Sequence, residues 1–147
     1  MKITTSLIIN KPVVAVWNFF DNPDNMGKWL TGFKSFETIS GIQGQVGAKA
    51  RHVYQEGKRT IILDEEITAR QKYHHFAGIL THDNMTALID VTFTDLHDGR
   101  TKVDTTSEYT FHTFLYKFMS LFIKGSIQKR QDGDYHRMKE AIEAEGY

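Results

Sequence analysis

The feature that most constrains this chain is the order in which its hydrophobic period changes along the sequence. Lys2 to Ile9 places Ile3, Thr5, Leu7 and Ile9 on one side, the period of two that makes a strand. Val13, Val16, Trp17 and Phe20 then recur at i, i+3, i+4 and i+7, an apolar helical stripe. Asn10 is the expected N-cap of that helix, with Pro12 in its first turn, where a missing N–H costs nothing. Asp21-Asn22-Pro23 stops it, and a second short helix is expected from Asp24 to Leu30.

From there the period returns to two. Lys34–Ser40, Ala48–Gln55, Arg59–Thr68, Tyr73–Thr81, Thr86–Asp95 and Thr101–Thr110 read as six strands, separated by turn-rich text at Gly41 to Gly47, Glu56-Gly57, His82-Asp83-Asn84 and Asp98-Gly99. Separators this short join antiparallel neighbours, because a parallel pair needs a long crossover. The chain closes with helical text from Thr113 to Glu145, in which Gly125 and Gly133 are candidate bends. The expected architecture is α+β: seven antiparallel strands wrapped around one long C-terminal helix, with two short helices after the first strand.

Several function classes fall away on composition. Cations and carboxylates balance at 18 each, so the basic excess of a nucleic-acid binder is missing. There is no cysteine, which removes thiolate chemistry and cysteine-ligated metals. The seven histidines include no His-x-His or His-x-x-x-His spacing, and His74 and His75, adjacent on a strand, point to opposite faces. Neither a metal nor a cofactor is expected. No Gly-x-Ser-x-Gly elbow is present. Gly41 to Gly47 precedes a strand, not a helix, so it reads as a flexible hairpin loop and not as a phosphate cradle. No signal-like stretch opens the chain and no window approaches a membrane span, so stable membrane insertion is not expected and a cytoplasmic location is.

Alternation along the strands gives a candidate inner face. His52 and Tyr54 share a side with Ala48 and Ala50, and Leu63 and Glu65 with Ile61 and Ile67. A tight turn at Ala69–Lys72 sets His75 opposite Glu65, with Ala77 and Ile79 after it; Ile89, Val91 and Phe93 follow, then Thr105, Ser107 and Tyr109. The last helix adds Phe114 and Phe118, with Phe122, as a cap. The candidate ligand-binding residues are therefore His52, Tyr54, Leu63, Glu65, His75, Val91, Phe93, Tyr109, Phe114 and Phe118. An apolar wall with a few polar points is the composition of a small-molecule pocket. A Glu beside a His is either an acid/base pair or a satisfied hydrogen-bonded one. No catalytic residue is assigned. Leu115, Met119 and Ile123 form an apolar edge fringed by Lys117 and Lys124, open to a dimer, a partner or a membrane surface, with the core-helix reading set first.

The order of elements resembles the helix-grip fold of the START/Bet v 1-like (SRPBCC) superfamily, and within it the polyketide cyclase/dehydrase-like branch. The residues that carry the resemblance are Ile3 through Leu7-Ile8-Ile9-Asn10-Lys11-Pro12 to Trp17, Asp21 with Trp29, Gly44 with Val46-Gly47, Ile62 with Glu66-Ile67, and Gly99-Arg100-Thr101-Lys102-Val103 into Glu108-Tyr109. It covers the whole chain and implies one helix-grip domain over residues 1–147. That fold hosts carriers, receptors, chaperone activators and cyclases, so it does not fix one activity. Three readings follow: binding or transport of a hydrophobic small molecule, lipid-like or polycyclic; a polyketide cyclase or dehydratase using pocket Tyr, His and Glu; and a protein-interaction module of the chaperone-activator type. The first is preferred, with the apolar ligand as partner, in a monomer or homodimer.

Overall fold

A computed structural model describes residues 1–144 of the chain. β1 spans Lys2–Ile9, α1 Val13–Asp21, a 3₁₀ turn Pro23–Asn25 and α2 Met26–Trp29. β2 (Phe33–Ser40), β3 (Lys49–Glu56), β4 (Arg59–Gln71), β5 (His75–His82), β6 (Met85–Asp95) and β7 (Thr101–Phe111) follow, and α3 (Phe114–Ala144) closes the chain. The seven strands form one antiparallel sheet in the order β1-β7-β6-β5-β4-β3-β2, and the long helix packs on it. This is the expected α+β helix-grip architecture.

Successive strands pair as hairpins from β2 to β7, and β1 returns to pair with β7, Ile3 opposite Ser107 and Leu7 opposite Val103. The chain between β1 and β2 must therefore travel from one edge of the sheet to the other. α1, the 3₁₀ turn and α2 make that journey across one face, and their apolar sides become the core. Val16, Trp17 and Phe19 are buried against Ile9, Val91, Phe93 and Val103, joined from α3 by Tyr135, Met138 and Ile142.

Local differences have local causes. α1 begins at Val13 with Pro12 as its N-cap, and no side chain caps it. Asn10 instead donates from Nδ2 to Glu143 Oε1 at 3.2 Å, tying β1's end to α3. The second helix is shorter than expected because Asn22 Oδ1 accepts from the Asp24 amide at 3.0 Å, holding a 3₁₀ turn before α2. α3 runs unbroken through Gly125 and Gly133; the expected final residue, Glu145, lies outside the described residues.

Candidate functional site

α3 lies against the sheet over only part of its length. Its C-terminal half is pinned: Met138 and Ile142 are fully buried, and Lys139 Nζ donates to the Ile8 carbonyl at 2.8 Å. Gln128 Nε2 donates to the Thr4 carbonyl at 2.9 Å. The N-terminal half starts beside the β5–β6 turn, where the His112 amide donates to the Asn84 carbonyl at 2.7 Å. Between that half and the sheet is a cavity of about 530 Å³. The sheet supplies Tyr54, Ile61, Leu63, Phe76, Leu80 and Ile89; α3 supplies Tyr116, Met119, Ile123 and Ile127; Trp29 and Leu30 close the α2 side. Gly78 and Ser107 also face it, and neither has the bulk to fill it.

A buried polar cluster interrupts the apolar wall. His52 Nδ1 lies 3.1 Å from the Tyr54 hydroxyl, and His52 Nε2 lies 3.5 Å from Glu65 Oε1. The second distance is an ion-pair contact but too long for a strong hydrogen bond, and His52 Nε2 is buried with no hydrogen-bond partner among the described residues. Burial raises the Tyr54 phenol well above its ordinary value, and the charges of Glu65 and Asp134 push the same way. Tyr109 is raised as well, by burial first, although its hydrogen bond with Ser107 works against the shift. Both phenols therefore stay protonated at neutral pH and can donate to a ligand oxygen.

The α3 side carries its own polar stripe. Gln131 accepts from Ser107 Oγ at 2.6 Å and donates to Thr5 Oγ1 at 3.0 Å. Asp134 accepts from the Thr31 amide at 3.1 Å and hydroxyl at 2.6 Å, and pairs with Arg137. Arg130 donates to the Thr31 carbonyl at 3.1 Å and pairs with Glu56. These groups satisfy one another, so they shape the α2 end of the cavity rather than wait for a partner. Among the described residues no three His, Asp or Glu side chains converge as metal ligands.

Of the candidates named from sequence, His52, Tyr54, Leu63, Glu65 and Tyr109 line this cavity. His75, Val91, Phe93, Phe114 and Phe118 do not. His75 is displaced by a register shift in the β4–β5 pairing between Ile67 and Ala69, together with a turn at Tyr73 held at φ 70°. Leu80, not His75, stands opposite Glu65. A one-residue slip reverses every side chain, so Phe76, Gly78 and Leu80 face inward. His75 bonds Asp90 at 2.9 Å on the outer face. The histidine beside Glu65 is His52.

Val91 and Phe93 do point inward, but α1 covers them; the Phe93 ring lies 5.2 Å from both Trp17 and Phe20. Phe114 and Phe118 are 85% and 53% exposed, on the side of α3 away from the cavity. Met119 and Ile123, expected at an outer edge, face the cavity instead. Arg130, Gln131 and Asp134 were missed. Their spacing held the signal: positions 116, 119, 123, 127, 130 and 134 form one helical stripe that changes from apolar to polar.

The sequence matches the family model described as polyketide cyclase / dehydrase and lipid transport over residues 1–143. No curated protein matches it in sequence. Among solved structures, the Zhui aromatase/cyclase from Streptomyces sp. R1128 aligns with a TM-score of 0.83 at 9% identity, covering 100% of this chain and 96% of that one. The TTHA0849 protein of Thermus thermophilus aligns at 0.81 and 12% identity over 100% of both chains. Ara h 8.0201 aligns at 0.77 and 13% identity over 98% of both. At these identities the likeness is one of fold.

Proposed function

The chain belongs to the polyketide cyclase / dehydrase and lipid transport family, and from that premise we propose that it binds or carries a hydrophobic small molecule, lipid-like or polycyclic, in the cavity beneath α3. The observation that carries this reading is the cavity itself. Its volume of about 530 Å³ falls inside the range of roughly 300–1,000 Å³ typical of ligand sites. The walls remove an apolar body from water, worth roughly 25 cal/mol per Å² buried. The Tyr54 and Tyr109 hydroxyls can donate hydrogen bonds to a ligand oxygen, and Glu65 can accept one from a ligand hydroxyl beside His52.

Native mass spectrometry of freshly purified protein tests this. A co-purifying apolar molecule, displaced by organic solvent, is the expected result. Protein of bare mass that also fails to take up any fatty acid or polycyclic probe sinks the reading.

A second reading, proton transfer on a bound polyketide-like substrate, is favoured by one observation: the unpartnered His52 Nε2 beside Glu65. In it, His52 Nε2 accepts a proton from an acidic C–H or O–H of the substrate, and the Glu65 carboxylate stabilises the imidazolium that results. His52→Gln separates the two. A carrier keeps its ligand affinity within a few-fold, whereas an enzyme loses turnover while still binding.

A further inference from the structure

The outward side of α3's first half has no counterpart in the cavity. Phe114, Leu115, Phe118, Leu121 and Phe122 are all more than half exposed, Phe114 at 85% and both Leu121 and Phe122 at 74%. At 100° per residue they fall within an arc of about 120°, opposite Tyr116 and Ile123. Charge is segregated on the same segment. From Tyr109 to Gln131 the sequence has Lys117, Lys124, Lys129 and Arg130 and no carboxylate, in a chain whose charges balance only over its whole length. Arg130 turns to Glu56, whereas Lys117, Lys124 and Lys129 are exposed and make no ion pair among the described residues. Lys117 and Lys124, seven residues apart, border the apolar arc along one flank.

We propose that this half of α3, from Phe114 to Lys129, docks on an anionic lipid bilayer surface. The aromatic and leucine side chains sink into the headgroup–acyl boundary, and the lysines reach the lipid phosphates. The sign of the charge selects this occupant over a second copy of the chain. A face with cations only is complementary to an anionic surface and repels its own image across a two-fold axis. No helix among the described residues is long and apolar enough to cross a membrane, so contact is confined to the surface. Tyr116, Met119 and Ile123 lie on the other side of the same turns, against the cavity. Resting on the function proposed above, docking holds the helix that covers the cavity at the bilayer surface, from which an apolar ligand is taken up.

Cosedimentation with vesicles tests the docking separately from ligand binding. Vesicles of phosphatidylcholine with about a third phosphatidylglycerol should bind the protein at least tenfold more tightly than pure phosphatidylcholine, with the advantage shrinking in ~0.5 M salt. Phe118→Ser with Phe122→Ser, or Lys117→Glu with Lys124→Glu, should lower that binding tenfold or more. The thermal midpoint should hold, since none of the four lines the cavity or the core. Binding that is absent, equal on both vesicle types, or unmoved by both double variants overturns the proposal. So does a dimer in sedimentation velocity that Phe118→Ser with Phe122→Ser dissolves, because that assigns the face to a second copy. Ligand uptake is read by mass in vesicle-free solution, so loss of one result leaves the other standing.

Discussion

Tyr135 is buried, and its hydroxyl donates to Thr105 Oγ1 at 3.2 Å while its ring meets Trp29 edge-on at 5.1 Å. Burial pushes its phenol up to about 12; the Thr105 hydrogen bond opposes the shift and the Asp134 charge adds to it. The unfolded chain releases this proton near pH 10 and the folded chain does not. Above that pH the native state binds more protons than the unfolded state, so stability falls as pH rises toward 12. Denaturant titrations between pH 9 and 11 should show this loss, and Tyr135→Phe should flatten part of the slope. An identical slope in the variant contradicts it. Trp17 sets the other limit at this scale. It has no exposed surface, packs against Phe93, and lies beneath the Arg70 guanidinium at 5.3 Å. Trp17→Ala should cost about 3–5 kcal/mol in denaturant unfolding, as for other buried aromatics. A change below about 1 kcal/mol contradicts this packing.

At the scale of elements, α3 is two different helices in one. Its C-terminal half contributes Tyr135, Met138 and Ile142 to the core, whereas its first half covers a cavity on one side and faces solvent on the other. Backbone amides at 116–126 should exchange hydrogen at least tenfold faster than those at 134–142, and a cavity ligand should slow the first group selectively. Uniform protection along α3 contradicts this division. The same helix shows where sequence stops being legible. Between Phe114 and Ile123 apolar residues occur on nearly every side, so a period of 3.6 has no phase, and Phe114 and Phe118 could not be told from Met119 and Ile123. β5 fails similarly. His75, Ala77 and Ile79 are nearly as apolar a set as Phe76, Gly78 and Leu80, and only the irregularity near Ile67 and the left-handed turn at Tyr73 decide between them. β3 and β4 were legible because Ala48, Ala50, His52 and Tyr54 are buried while Lys49 and Arg51 are exposed, a true alternation.

For the whole molecule, the order of elements was readable because connection lengths dictate hairpins, and hairpins in sequence dictate the sheet. The cavity was readable only in outline. A sheet must pair continuously from β2 to β1, and α3 must pin one end to β1 to complete the core; the two surfaces part at the other end. Which side chains face that gap depends on register and helix phase, and those are settled by packing across the whole structure. The account stands on the cavity being open to an apolar molecule in solution, and a fluorescence titration with ANS on the folded protein tests that most directly. Leu63→Trp supplies the control, since Leu63 faces the cavity from β4 and a larger ring there fills it. Phe118→Ser with Phe122→Ser controls for dye on the outer face of α3. The expected result is saturable one-to-one binding, weakened at least tenfold by Leu63→Trp at an unchanged circular dichroism spectrum and retained in the phenylalanine variant. Equal binding by wild type and Leu63→Trp, or binding lost only with the two phenylalanines, contradicts the account.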